Sequence, residues 1–205
     1  MLVRLTIPMI FGIMSMVLYN IVDTFFVGRL GATQLAALSF TFPVVLVISS
    51  LALGLGMGAS AAVSRAIGQG DRRRVTRLAT DSLLLALSIV AVAAGIGLLT
   101  IDPLFRALGA GEETLPYIRQ YMTIWYPGML FVVVPMVGNN CIRATGDART
   151  PGLVMIIGAG TNALLDPLLI FGLGPLPALG IRGAAAATLI GRSVTFIVAL
   201  SVLAR

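Results

Sequence analysis

Apolar residues fill this chain in long uninterrupted blocks. Charge-free stretches run from Leu5 to Val22, Leu30 to Ser64, Ser82 to Ile101 and Gln120 to Ile142. A helix needs about 20 apolar residues to cross hydrocarbon, so each stretch with its flanks predicts a span. Two more, about 151–173 and 183–204, read the same way although each holds one internal charge, Asp166 and Arg192. The pattern therefore predicts six helices, at about 3–28, 33–64, 80–101, 119–142, 150–173 and 182–204. The expected fold is an all-α integral membrane bundle, one unit over residues 1–205 that leaves no room for a soluble domain. The first apolar run lacks a small-residue cleavage pattern behind it and reads as a retained span.

Composition agrees and then narrows the chemistry. Hydrophobic residues make up 58% of the chain, mean hydropathy is +1.02, and charged residues are 11%. Soluble domains carry about 25% charged residues. No Lys is present, which excludes a phosphate-binding loop with its lysine and a Schiff-base lysine. No His is present either, which excludes an imidazole relay, and the single Cys141 reads as a packed thiol at the end of span four. ATP hydrolysis within this polypeptide is thus not expected, no cofactor is called for, and an ion gradient is the natural energy source.

All 14 basic residues are arginines. With a cytoplasmic N-terminus, the inside collects Arg4, Arg65, Arg72, Arg73, Arg74, Arg77, Arg143, Arg149 and Arg205. The outside then receives Arg29, Arg106, Arg119 and Arg182, an asymmetry that fits the positive-inside rule. The Arg72–Arg74 run lacks interleaved aromatics and lies between spans, so it reads as a topology signal and not as a nucleic-acid site. The segment from Ser64 to Asp81 is expected as an amphipathic stretch on the inner surface, and Ile101 to Gln120 as an outer loop. Trp125 and Tyr126 are expected in an interfacial aromatic belt. Asn139 and Asn140 are expected to cap or bond backbone, and Gly54, Gly56 and Gly58 to let another helix approach.

Two buried aspartates, Asp23 and Asp166, are the candidate chemistry. An ionisable group inside a membrane costs about 3 kcal/mol on the insertion scale, and by default it marks an ion or substrate pathway. Each has an amide partner about one turn earlier, Asn20 for Asp23 and Asn162 for Asp166, so each pair shares a helix face. Asp23 lies 19 residues past Arg4 and Asp166 lies 17 past Arg149, on spans that run in the same direction. Thr188 on span six falls about 8 Å below the outer end, at a comparable height. Asp23, Asn20, Asn162, Asp166 and Thr188, with Tyr19 beside them, are therefore expected to line one oxygen-rich pocket in the outer half of the membrane. The alternative is that these groups cross-link helices, but a neutral amide does that without the desolvation cost of a carboxylate. Arg192 is expected to play a structural part.

The motifs themselves resemble a known family. Leu18-Tyr19-Asn20-Ile21-Val22-Asp23-Thr24-Phe25-Phe26-Val27-Gly28 is similar to the first-helix motif of the multidrug and toxic compound extrusion (MATE) transporters. So are Gly58-Ala59-Ser60, Ser64-Arg65-Ala66-Ile67-Gly68-Gln69-Gly70-Asp71 and Arg143-Ala144-Thr145-Gly146-Asp147. Asn162-Ala163-Leu164-Leu165-Asp166-Pro167 and Gly183-Ala184-Ala185-Ala186-Ala187-Thr188 complete a match that covers essentially the whole chain. The resemblance implies a cation-coupled exporter of organic, often cationic, drug-like compounds, built from two six-helix bundles around a central cleft in the cell inner (plasma) membrane. It also implies that Asp23, Asn162, Asp166 and Thr188 serve H+ or Na+ coupling, and that Pro8 is the proline whose bending accompanies protonation. This chain corresponds to the N-terminal bundle, so a second six-helix lobe is the expected partner. A dimerising half-size transporter is the alternative.

Other functions fit the residues less well. A lipid-linked oligosaccharide flippase of the same superfamily needs a strongly cationic cavity, whereas only Arg192 lies deep in a span. An intramembrane aspartyl protease also uses two membrane aspartates, but its Tyr-Asp and Gly-x-Gly-Asp contexts are missing around Asp23 and Asp166. Nothing resembles the filter loop of a channel.

Overall fold

The computed structural model describes residues 10, 14, 17, 18, 20–147, 149–172 and 177–203, and every regular element among them is a helix. The first helix, α1, is described continuously over 20–28. It is followed by α2 (Ala32–Gly68), α3 (Arg72–Leu99), the short α4 (Ile101–Ala107), α5 (Leu115–Gly128), α6 (Leu130–Ala144), α7 (Arg149–Phe171) and α8 (Ile181–Leu203). The helices α2, α3, α7 and α8 are each long and apolar enough to cross a membrane, and α5 with α6 makes a fifth, bent span. Most of the first expected span, including Pro8 and Tyr19, lies outside the described residues.

Three boundaries differ from the sequence pattern, each for a local reason. The third span begins at Arg72 and not near residue 80, because the Asp71 side chain caps the helix by accepting the Arg74 N–H at 2.9 Å. Such a cap contributes about 1 kcal/mol, and arginine is a good helix former. The expected surface stretch from Ser64 to Asp81 is therefore divided between the ends of α2 and α3, with Gly70 at φ 73° in the turn. The expected outer loop holds α4, which Arg119 ties to α5 by gripping the Asp102 carboxylate with two nitrogens. The fourth span breaks by 41° at Met129. Pro127 and Gly128 explain the break, since proline lacks the donor and crowds the preceding turn while glycine weakens the helix.

The start of α7 is built by Asp147. One of its carboxylate oxygens accepts the backbone N–H groups of Arg149 at 2.9 Å and Thr150 at 3.1 Å, and the other accepts the Thr150 hydroxyl. That hydroxyl, together with the two N–H bonds, holds the Asp147 carboxyl below the usual carboxylate range.

In the packed interior, α6 lies against α2, α3 and α8, while α8 also packs on α5 and α7. Phe105, Ile118, Met122, Met129, Val133 and Val137 form its centre, and Cys141 is buried as expected. Trp125 and Tyr126 are buried as well, meeting edge to face at 6.0 Å. Gly97 on α3 makes room for the Tyr126 ring, so these aromatics serve the core and not an interfacial belt. Outward faces remain apolar, with Leu46, Val47, Met57, Leu85, Val92 and Ile197 exposed, as suits helices bathed in lipid.

The closest backbone approach joins α7 and α8. Leu179 and Gly180 donate N–H bonds to the Leu169 and Ile170 carbonyls at 3.0 and 3.1 Å, fastening the start of α8 to the end of α7. A Cβ at Gly183 would fall on the Leu169 carbonyl oxygen. At Gly191 a Cβ would stand 3.1 Å from the Gly158 oxygen and 3.3 Å from the Asn162 Cβ. Small residues at these contacts are what allow van der Waals packing between helices in lipid. Replacing Gly183 by Val should therefore lower stability by about 1–3 kcal/mol, the usual penalty of overpacking. Thermal unfolding in detergent would read this, with Gly58→Val as control because nothing stands within 4 Å of that position. Equal melting of the two variants would overturn the account.

Candidate functional site

The α7–α8 register builds the site. Gly158 faces Thr195, Asn162 faces Gly191, and Leu169 with Ile170 faces Gly183. Each step along α7 is matched by an equal step back along α8, as antiparallel helices require. Interpolating between these contacts sets Asp166 level with Ala187, one residue from Thr188. Thr188 is three residues before Gly191, so both belong to the α8 face turned to α7. Asn162 and Asp166 are fully buried, and Thr188 is 6% exposed. One turn apart, the Asn162 Nδ2 donates to the Asp166 Oδ1 at 3.1 Å.

The second carboxylate comes from α1. Asp23 is 8% exposed and lies near Asp166. The rings of Phe26 and Phe171, just beyond the two aspartates, meet edge to face at 6.1 Å. That contact holds the ends of α1 and α7 at one level, as the matched distances along the sequence require. Asp23, Asn162, Asp166 and Thr188 are thus brought together as buried polar groups where three helices meet.

Asn20 differs from expectation, because it is exposed while Asp23 is buried. The buried stripe of α1 is narrow, consisting of Asp23 and Val27 in the described part, and a residue three positions earlier falls off its edge. Tyr19, expected beside it, lies outside the described residues.

Among the described residues, three oxygens of the cluster have no hydrogen-bond partner: Asp23 Oδ1, Asn162 Oδ1 and Asp166 Oδ2. Orphaned acceptors in a buried site are costly, about 1–3 kcal/mol each and more for a charged group. All three are hard oxygen donors, two of them carboxylate, and they suit a proton or a sodium ion. Gly183, which opens span six with four alanines, reads from the sequence as a place of close helix approach; Gly158 and Gly191 are the positions that sequence reading does not single out. The signal lies in their spacing against Asn162 and Asp166, which becomes meaningful only once the helix pair is known.

A second polar cluster lies towards the other end of α6. Asn140 donates back to the Met136 carbonyl at 2.8 Å, as expected of a backbone-bonding amide, and Gly56 on α2 gives its side chain room. Of the three glycines expected to serve packing, Gly56 alone does so; Gly54 and Gly58 face open space. Arg143 reaches Asn140 Oδ1 at 3.5 Å and the Met155 sulfur at 3.8 Å. Its Nε and the Asn139 Oδ1 are buried without a partner.

Known proteins resemble this chain in sequence and fold. The MatE family model matches residues 8–168. The FAD transporter of Shewanella oneidensis is 46% identical over 200 residues, covering 98% of this chain and 43% of that protein. The probable multidrug resistance protein YoeA of Bacillus subtilis is 30% identical over 173 residues, covering 84% and 37%. A solved transporter of the MOP superfamily from Pyrococcus furiosus superposes with a TM-score of 0.87 at 39% identity, covering 95% of this chain and 42% of that one. The chain therefore spans less than half the length of these relatives. With its six-span apolar pattern, its all-helical bundle and a family match over more than half of its residues, this multi-pass membrane protein belongs to the MatE family of transporters.

Proposed function

We propose that this chain forms the N-terminal lobe of a cation-coupled exporter of small organic molecules. It would work by alternating access, in the plasma membrane and with a cytoplasmic N-terminus. The observation that carries this reading is the pair of buried carboxylates, Asp23 and Asp166, with an orphaned oxygen on each and on Asn162. The arginine asymmetry along the sequence supports the orientation.

The residues suit the task. Two carboxylates in one desolvated pocket repel each other, and a bound H+ or Na+ supplies the positive charge that offsets them. Asn162 holds one oxygen of Asp166 by its amide N–H, which leaves the other oxygen of that carboxylate for the cation. Gly191 keeps Asn162 against α8, and the shared register brings Thr188 within one residue of the Asp166 level. Asp23 enters from α1, whose buried stripe it forms with Val27. Loading or emptying the pocket thus bears directly on how α1 sits against α7. A second six-helix lobe of the full-length protein would complete the substrate cleft, and rocking of one lobe against the other would move the solute.

The substrate has two readings. The expected class is organic, often cationic, drug-like compounds, and the relationship to a multidrug resistance protein supports it. FAD, an aromatic anion, is the second reading, favoured by the relative at 46% identity whose name states that substrate. Efflux of FAD and of a cationic dye, measured side by side from cells carrying the full-length protein, separates them. The names of the relatives, an FAD transporter and a multidrug resistance protein, support neither a flippase nor a protease.

In the full-length protein, Asp166→Asn should bring cation-driven efflux to background while membrane expression stays near wild type. The amide keeps volume and hydrogen bonding but cannot titrate. Efflux that persists with an unchanged response to pH and Na+ would make Asp166 structural and remove the site assignment.

Residues 1–205 expressed alone should not transport, because the solute path is proposed to lie between lobes. Resistance assays in an efflux-deficient cell, with chemical cross-linking to report oligomeric state, test this. Drug resistance with a cross-linked dimer would favour a half-size transporter instead.

A further inference from the structure

At the arginine-rich end of the bundle, the turn between α2 and α3 and the residues just after α6 border a cleft of about 540 Å³. Ile67 and Val75 give it apolar walls, Arg72 gives it a positive charge, and Thr145 closes the side nearest α6. Gly70, with nothing within 4 Å of where a Cβ would stand, leaves the mouth open. The lining also includes Asp71, but one oxygen of that carboxylate is engaged in capping α3.

The charges around the cleft do not cancel. Arg77 pairs with Asp81, and Arg74 bonds the Gln69 side chain. Arg65, Arg72 and Arg73 are exposed, and none of them enters an ion pair among the described residues. Arg72 lines the cleft, and Arg65 and Arg73 lie within two residues of its lining along the sequence. The walls decide what anion meets them: Ile67 and Val75 are apolar, and they lie on α2 and α3, two helices long and apolar enough to cross a membrane.

We propose that this cleft holds the headgroup of an anionic phospholipid from the adjoining leaflet. Its phosphodiester lies against Arg72, and the first carbons of its acyl chains lie against Ile67 and Val75. Guanidinium is well matched to phosphate oxygens, since it offers parallel donors and is more weakly hydrated than ammonium. The apolar walls distinguish this occupant from a free anion, which has nothing to place against them. The proposal stands apart from the carboxylate site, so the two fail independently.

Native mass spectrometry of the full-length transporter tests this, with phosphatidylglycerol or phosphatidylcholine titrated into the detergent. Wild-type protein should retain phosphatidylglycerol in preference to phosphatidylcholine. Basic residues near an anionic surface contribute roughly fivefold each, so Arg65→Gln/Arg72→Gln/Arg73→Gln should weaken retention on the order of 100-fold. Arg72→Gln alone should show part of that loss, while Arg106→Gln, remote from the cleft in the α4 segment, should show none. All these positions are exposed, and an unchanged melting temperature in neutral lipid would show that the variants fold. Unchanged phosphatidylglycerol retention in the triple variant would overturn the proposal, as would equal retention of phosphatidylcholine. Displacement of the lipid by millimolar inorganic phosphate would overturn it too, in favour of a soluble-anion site.

Discussion

The close approach of α7 and α8 is the constraint on which the rest of the polar architecture depends. Gly158, Gly183 and Gly191 let the two backbones come together at three successive levels. The helix register is then fixed by sterics, because a side chain at Gly183 or Gly191 would run into the α7 backbone and one at Gly158 into Thr195. A fixed register in turn sets Asn162 and Asp166 opposite the Gly191–Thr188 face of α8. In lipid no hydrophobic force draws helices together, so close packing of this kind and interhelical hydrogen bonds must do so.

Much of this is legible in the sequence, for a simple reason. Charged residues are rare in apolar blocks, so Asp23 and Asp166 stand out from the residue pattern alone, and helix periodicity links Asn162 to Asp166. Height along parallel spans then groups Thr188 with them, and the α7–α8 register agrees. Asn20 shows where that arithmetic fails. Periodicity says which residues share a face but not how wide the buried face is, and on α1 it is one stripe wide.

What the residue pattern does not reveal has physical causes of its own. The start of α3 escapes it because hydropathy marks where a helix is apolar and not where it begins; capping by Asp71 carries it two turns further, through the arginines. Trp125 and Tyr126 are expected at an interface because their residue types favour one, yet the space opened by Gly97 draws Tyr126 inward. The break at Met129 has a visible cause in Pro127, but prolines at 43, 135 and 167 leave their helices unbroken. Proline removes one bond; whether the helix bends there depends on what packs beside it, and at Gly128 that neighbour is Leu189 of α8.

The distribution of burial finally bears on how a cation site can do work at a distance. Helices α6, α7 and α8 hold one another through many buried residues, so they form the rigid part of the lobe. The described part of α1 is the opposite case: Ile21, Phe25 and Leu18 are exposed, and only Asp23 and Val27 are buried. One of the two buried residues in this described part is therefore also a member of the carboxylate pair. Repulsion between Asp23 and Asp166 would act between α1 and α7. A site placed between two rigid helices would absorb the same energy as strain without moving anything. Placed here, a change in the charge of the pocket would be a change in how firmly α1 is held against α7.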